Sequence, residues 1–289
     1  MPAGIALGEI TIARVIEMIS PFDKFEFFPN TTPADWHPYL DALAASGGYD
    51  HASGALLFPL QTYVVRTRHH TILIDTCIGN CKRLARRPDW DQRADDRYLN
   101  ALAAQGVRPE DVDYVMCTHL HADHVGWNTQ RRDGRWVPTF PNARYVMSAK
   151  EVALAQAMPE PPTPIIESVL PVVAAGQAQL VEAEFALDDS VSLLATPGHT
   201  PGHFAVALSS GARRAVMTGD MMHTPVQCHH PEWAARPDWD AAMASSTRRD
   251  FLERHCETAT LVCTAHFPLP SIGRIERAGD AFAFRPLAD

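Results

Sequence analysis

The chain has 289 residues, 46% of them hydrophobic and 20% charged, which suits one large globular domain over residues 1–289 and excludes a disordered chain. A net charge of −9, with basic residues gathered only in short pairs such as Arg86-Arg87 and Arg248-Arg249, disfavours nucleic acid as a partner. Six scattered cysteines do not make a disulfide scaffold, no stretch reaches the length of a membrane span, and the first residues lack a basic and apolar leader pattern, so the expectation is a soluble cytoplasmic protein with reduced thiols and no membrane partner.

Short β-branched or apolar runs predict strands at 10–15, 61–66, 71–75, 113–117, 144–148, 191–196, 204–208, 214–218 and 260–264. Apolar residues at three- and four-residue spacing predict helices at 91–105, 148–158, 164–174 and 239–255. Gly106 is placed to end the first of these in a left-handed cap, and the run from Gly273 to Phe284 reads as an edge hairpin turning on Ala278-Gly279-Asp280. Residues 19–58 differ, concentrating Phe22, Phe25, Phe27, Phe28, Trp36, Tyr39 and Tyr49 in a segment too long for a plain connection. A lid or binding loop is one use of such aromatics; covering the core or a homodimer partner is another.

Directly after the predicted strand 113–117 comes Thr118-His119-Leu120-His121-Ala122-Asp123-His124. His119 and His121 alternate in extended chain and so can face one side, while the adjacent Asp123 and His124 can turn toward different ions, which implies two metals. His199, Asp220 and His266 each follow a predicted strand beside turn residues, where loops at one sheet edge can converge. Cys77 and Cys81, four apart with no second pair, do not make a structural zinc site, and His69, His70, His229, His230 and His255 are assigned to surface or packing.

The segment His119-Leu-His-Ala-Asp-His, followed in order by His199, Asp220 and His266, resembles the signature of the metallo-β-lactamase superfamily in its dinuclear form, over roughly residues 60 to 284. The resemblance implies a four-layer αββα sandwich, an α/β fold with its site at one edge. It also implies that His119, His121 and His199 hold one divalent cation, Asp123, His124 and His266 the second, and that Asp220 bridges them. Zinc is the default metal, with iron, manganese and cobalt compatible with the same ligands. A hydroxide held between the cations would attack an ester, Asp123 would orient it and move the proton, and Asp75 and Thr118 would steady the ligand histidines.

His223, three residues after Asp220, is a candidate donor to the substrate oxygen. In acyl-homoserine lactonases a tyrosine stands there, and Asp220-Met-Met-His is more similar to the methyl parathion hydrolase branch. The leading reading is a hydrolase of a small ester, a lactone or related carboxyl ester. Alternatives are an organophosphate triesterase or a thioester hydrolase resembling glyoxalase II, although no basic C-terminal helical domain follows here. Trp127 and Phe267, next to ligand motifs, are candidates for the pocket mouth or for packing.

Overall fold

The computed structural model describes residues 4–182 and 184–287. The first part of the chain forms β1 (Ile5–Leu7), β2 (Ile10–Asp23), β3 (Tyr49–Asp50), β4 (Ala55–Arg66), β5 (Thr71–Ile74), β6 (Tyr114–Met116), β7 (Thr129–Arg132), β8 (Arg135–Pro138), β9 (Arg144–Ser148) and β10 (Ala178–Val181). The second part forms β11 (Val191–Ala195), β12 (Phe204–Ser210), β13 (Arg213–Met217), β14 (Leu261–Cys263), β15 (Ile272–Ala278) and β16 (Ala281–Pro286). One sheet runs β1-β2-β4-β5-β6-β9-β10 with β3 beside β4, the other runs β11 to β16 in order, and β7 and β8 pair apart as a hairpin.

Side-chain alternation decides how the sheets stack. Tyr63 and Val65 of β4, Met116 of β6 and Val146 of β9 point inward, where they meet Phe204, Val206 and Leu208 of β12 and Met217 of β13. Their neighbours Val64, Val115, Tyr145 and Met147 point outward, under α4 (Arg97–Ala104), α6 (Ala149–Ala157) and α7 (Leu170–Ala174), which bury Tyr98, Leu102, Val152 and Val172 against them. On the far side, Ala205, Val216, Val262 and Ile275 are covered by Phe251 and Leu252 of α9 (Ala241–His255). The layers are therefore helix, sheet, sheet, helix, as the sequence implied. Among the described residues no helix is long and apolar enough to cross a membrane.

Three differences from the sequence expectations have physical causes. The helix expected from residue 91 starts at Arg97, because Gln92 is left-handed (φ 49°) and Asp91 instead accepts the Leu84 N–H at 2.6 Å. The helix expected over 164–174 opens with a wide π turn at Ile165–Val169. Pro171 cannot donate to the Glu167 carbonyl four residues back, and Lys82 Nζ and Thr129 Oγ1 take that place. Residues 19–58 are not a loop throughout. Their ends extend the β2–β4 hairpin as far as Asp23 paired with Ala55, and α1 (Lys24–Phe27), α2 (Pro33–Trp36) and α3 (Leu40–Ala45) fold across its tip. Phe28 and Trp36 are wholly buried there against Val226 and Ala235. The hairpin of β15 and β16 closes the sheet edge with Gly279 at φ 60°, and Gly106 takes φ 71°, both as expected.

The six cysteines are free thiols. Strands β5, β6, β9 and β10 run parallel, as do β13 and β14, so the carboxyl ends of β5, β6, β13 and β14 can deliver loops to one edge. There the Phe204 N–H donates to the Thr118 carbonyl at 3.0 Å and ties the two sheets together.

Candidate metal centre

Each predicted ligand leaves the edge of a sheet. His119 and His121 follow β6, Asp123 and His124 lie in the single turn α5 (Ala122–Val125), His199 follows β11, Asp220 follows β13 and His266 follows β14. The turn α5 can dock closely because Gly126 has no side chain: a Cβ there would lie 1.7 Å from the Ile78 carbonyl oxygen. Gly219, at φ 52°, swings the chain after β13 so that Asp220 points inward.

The structure brings all seven residues together. Ligand atoms of His119, His121, His199 and Asp220 lie within 4.8 Å of one another, and those of Asp123, His124 and His266 form a second group on the same terms. Asp220 stands between the groups. Its Oδ1 is 3.0 Å from His124 Nε2 and 3.0 Å from His266 Nε2, while its Oδ2 is 3.4 Å from His199 Nε2 and 3.7 Å from His119 Nε2. Asp123 Oδ2 lies 3.7 Å from the Nε2 atoms of both His124 and His266. His121 Nδ1 and His199 Nε2 face each other at 3.0 Å.

The far nitrogen of most of these rings is already engaged, which orients the near one. His124 Nδ1 bonds Asp75 Oδ2 at 2.9 Å, His199 Nδ1 bonds Asp238 Oδ1 at 2.9 Å, and His266 Nδ1 donates to the Pro59 carbonyl at 3.0 Å. Thr118 Oγ1 sits between Asp75 and His119 Nδ1, at 2.9 and 3.1 Å. Asp75 and Thr118 thus stand where the sequence reading expected them. His119 Nε2, His124 Nε2 and Asp220 Oδ1 are buried with no hydrogen-bond partner. Orphaned nitrogen and carboxylate lone pairs converging on one point fit divalent cations, and a nitrogen and oxygen donor set suits zinc and its first-row neighbours.

The electrostatics free two of the ligand rings for such a cation, whereas the Asp220 carboxylate overcomes burial and raises His124 and His266, whose protons a cation would displace. Burial, reinforced by His124 and His121, pushes the His119 imidazole well below its ordinary range, and burial with His199 lowers His121 to about 3, so both rings keep free lone pairs at neutral pH. Burial alone would raise the Asp220 carboxyl. The fields of His124, His266 and His223 overcome it and hold the group well below the usual carboxylate range.

His223 joins the cluster from the loop after Asp220, with its Nε2 3.2 Å from Asp220 Oδ2 and its ring edge-on to Phe27. Above the metal groups lies a cavity of about 260 Å³ walled by Phe22, Phe27, Phe58 and Trp90, so the aromatic segment contributes directly to the site. Trp127 and Phe267 do not. Trp127 stacks on Tyr98 and donates to the buried Glu17, and Phe267 packs edge-on against Phe284. His69, His70, His229, His230 and His255 lie outside both ligand groups.

Three contributors escaped the sequence reading. Asp238 orients His199, and the buried Arg248 lies 3.6 Å from Asp238 Oδ2. His203 accepts the Asp220 backbone N–H at 3.1 Å while its Nδ1 bonds Thr196. A signal for His203 was present in the repeated Pro-Gly-His of Thr196-Pro-Gly-His-Thr-Pro-Gly-His. Nothing local marks Asp238 or Arg248. Replacing Asp238 with alanine is expected to weaken divalent-cation binding roughly 10- to 100-fold, read by competition with a chromophoric chelator. Unchanged affinity would remove Asp238 from the site.

Comparison with known proteins places these residues in context. The family model described as the metallo-beta-lactamase superfamily matches residues 57–266. An N-acyl homoserine lactonase from a Bacillus species is 30% identical over 220 residues, covering 69% of this chain and 81% of the relative. The N-acyl homoserine lactonase AiiA of Bacillus thuringiensis subsp. kurstaki is 28% identical over 188 residues, 58% of this chain and 68% of the relative. Among solved structures, the dizinc quorum-quenching lactonase AidC, in complex with a product, superposes with a TM-score of 0.80 at 22% identity, covering 99% of this chain and 97% of that one. The hydrolase AbOPH superposes with a TM-score of 0.82 at 23% identity over the same shares. At these identities the structural likeness speaks for the fold.

Proposed function

The chain belongs to the metallo-β-lactamase superfamily as a metal-dependent hydrolase, and from that premise we propose that it hydrolyses a small uncharged ester, a lactone before any other. One observation carries this reading: the seven converging ligands open into a cavity lined by Phe22, Phe27, Phe58 and Trp90 and by no lysine or arginine. Such a wall favours an apolar neutral group and offers nothing to a phosphate monoester or other anion. The lactonase relatives support the same chemistry.

In this proposal His119, His121 and His199 hold one cation, Asp123, His124 and His266 the other, and Asp220 reaches both, with zinc the leading metal. When bound, such cations polarise a carbonyl and bring water toward ionisation near neutral pH. The chain's own residues do the rest. Phe22, Phe27 and Phe58 exclude water and seat the substrate over the cluster. His223, held against Asp220, donates through Nε2 to an oxygen of the reacting ester. Asp123, whose side chain is 13% exposed against 5% for Asp220, is the carboxylate open enough to take a proton and pass it to the leaving alkoxide.

Phosphotriester hydrolysis is a second reading, favoured by the resemblance of Asp220-Met-Met-His to the methyl parathion hydrolase branch and by the same neutral wall. A panel of lactones, aryl phosphotriesters, thioesters and a β-lactam, run on the metal-loaded protein, separates them. The expected result is that lactones turn over with the highest kcat/KM. Turnover confined to phosphotriesters or thioesters would replace the lactone reading, and inertness toward every class would end it.

A further inference from the structure

The two sheets are tied together by side chains just before His266. That ligand follows β14 in one sheet, while Gln61 and Tyr63 stand on β4 in the other and, two residues apart, share one face of it. Gln61 is buried, and its Nε2 donates to the last two carbonyls before the ligand, that of Thr264 at 3.1 Å and that of Ala265 at 2.9 Å. The Tyr63 hydroxyl donates to the same Thr264 carbonyl at 2.8 Å. These acceptors fix which way the amide points, because its oxygen turned toward two carbonyls would be repelled. Gln61 Oε1 is consequently buried with no hydrogen-bond partner. An apolar side chain of the same size would fill the space without that desolvation cost, so packing does not account for a glutamine here, and its two N–H donors do.

His266 depends on such support more than its fellow ligands do. The far nitrogens of His124 and His199 bond carboxylates, those of Asp75 and Asp238, whereas the far nitrogen of His266 has only the Pro59 carbonyl, again from β4. A neutral backbone acceptor holds a ring less firmly than a carboxylate does. It can hold this one only while the backbone from Thr264 to His266 keeps its distance from β4, and the two donors of Gln61 set that distance.

We propose that Gln61 is a positioning residue for His266 and, through it, for one cation alone. It fixes the strand-end backbone from which His266 completes the group of Asp123 and His124, and it has no contact with the group of His119, His121 and His199. The inference rests on the ligand set proposed above and on no particular ester. Ligand groups with separate supports lose their cations separately.

The test is stepwise uptake of cobalt(II) by the metal-free protein, followed by equilibrium dialysis and by the visible absorption of the bound ion, in the native chain and in Gln61→Met. Methionine keeps the length and most of the volume of glutamine and removes both donors. The native chain is expected to take up two ions. In the variant one ion should bind within roughly threefold of its native affinity and the other roughly 10- to 100-fold more weakly. Exchange of the His266 Nδ1–H with solvent, followed by NMR on the zinc-loaded protein, should quicken as the bond to Pro59 slackens. Two ions held as tightly as in the native chain would overturn the proposal, and so would an equal weakening of both, which is what a general loosening of the two sheets produces. If the native chain itself does not take up two ions, the ligand set has failed and the proposal with it. Should Gln61→Met not fold, Gln61→Glu keeps the shape of the side chain, offers at most one donor to the two carbonyls, and is judged by the same outcomes.

Discussion

Asp220→Ala is expected to lower hydrolysis by about three to four orders of magnitude and to empty the site of cations. The effect should exceed that of any single histidine, because Asp220 is the residue whose two oxygens face the two ligand groups, at 3.0 Å on one side and 3.4 Å on the other. Without it, five rings and one carboxylate surround a point where cation charge has lost its central counter-charge. Two measurements separate this outcome from misfolding. Metal analysis should fall from two equivalents per chain toward none, and a chelator that lowers the Tm of the native protein should leave the variant's Tm unmoved, since cations stabilise a fold only in proportion to their binding. Activity within tenfold of the native chain would show that Asp220 does not link the two groups.

Arg248→Met should bring the largest loss of stability, about 3–5 kcal/mol, or a Tm roughly 10 °C lower. The side chain is wholly buried in α9. Its guanidinium donates to the carbonyls of Met221 at 2.8 Å, of Trp233 at 3.1 Å and of Pro231, and stands 3.6 Å from the Asp238 carboxylate. Methionine fills much of the volume but takes this donor from the Met221 and Pro231 carbonyls in a dry interior and removes the guanidinium charge beside the Asp238 carboxylate, which keeps only His199 Nδ1 and the Ala235 N–H as partners. Because Asp238 in turn orients His199, cation affinity should fall together with stability. Chemical denaturation with metal bound and removed reads both effects, and a midpoint unchanged in the variant would show that water or backbone movement replaces the guanidinium.

Whether residues 19–58 also meet a second copy of the chain is separate from their role in the pocket. Phe28 and Trp36 are consumed by internal packing, whereas Phe22 and Phe27 stay half-buried because they roof the metal site. One stretch of aromatics therefore performs two jobs that its composition could not distinguish. The same holds for the large residues beside the ligands, where Trp127 and Phe267 turned out to be packing while the pocket was built from the tip of the β2–β4 hairpin.

Sequence by itself marked the seven residues that the structure brings together, and through the family resemblance it implied the layering. Metal chemistry restricts a site to a few residue types, so His119, His121, Asp123, His124, His199, Asp220 and His266 stood out at their strand ends. The alternation of Val64 with Val65, or of Ala205 with Val206, sends neighbouring side chains to opposite faces of a sheet, and the packing decides which face meets which layer. Only the tertiary structure decided which residues hold the ligands and what the site can admit. Asp238 reaches His199 from 39 positions away, Pro59 meets His266 across 207, and the two cavities beside the ligand cluster draw their walls from the first hairpin, α6 and the loop before α9. No period or motif encodes such contacts, because they are set by how two twisted sheets and their covering helices pack, and the packing brings together residues that have no local reason to be recognised.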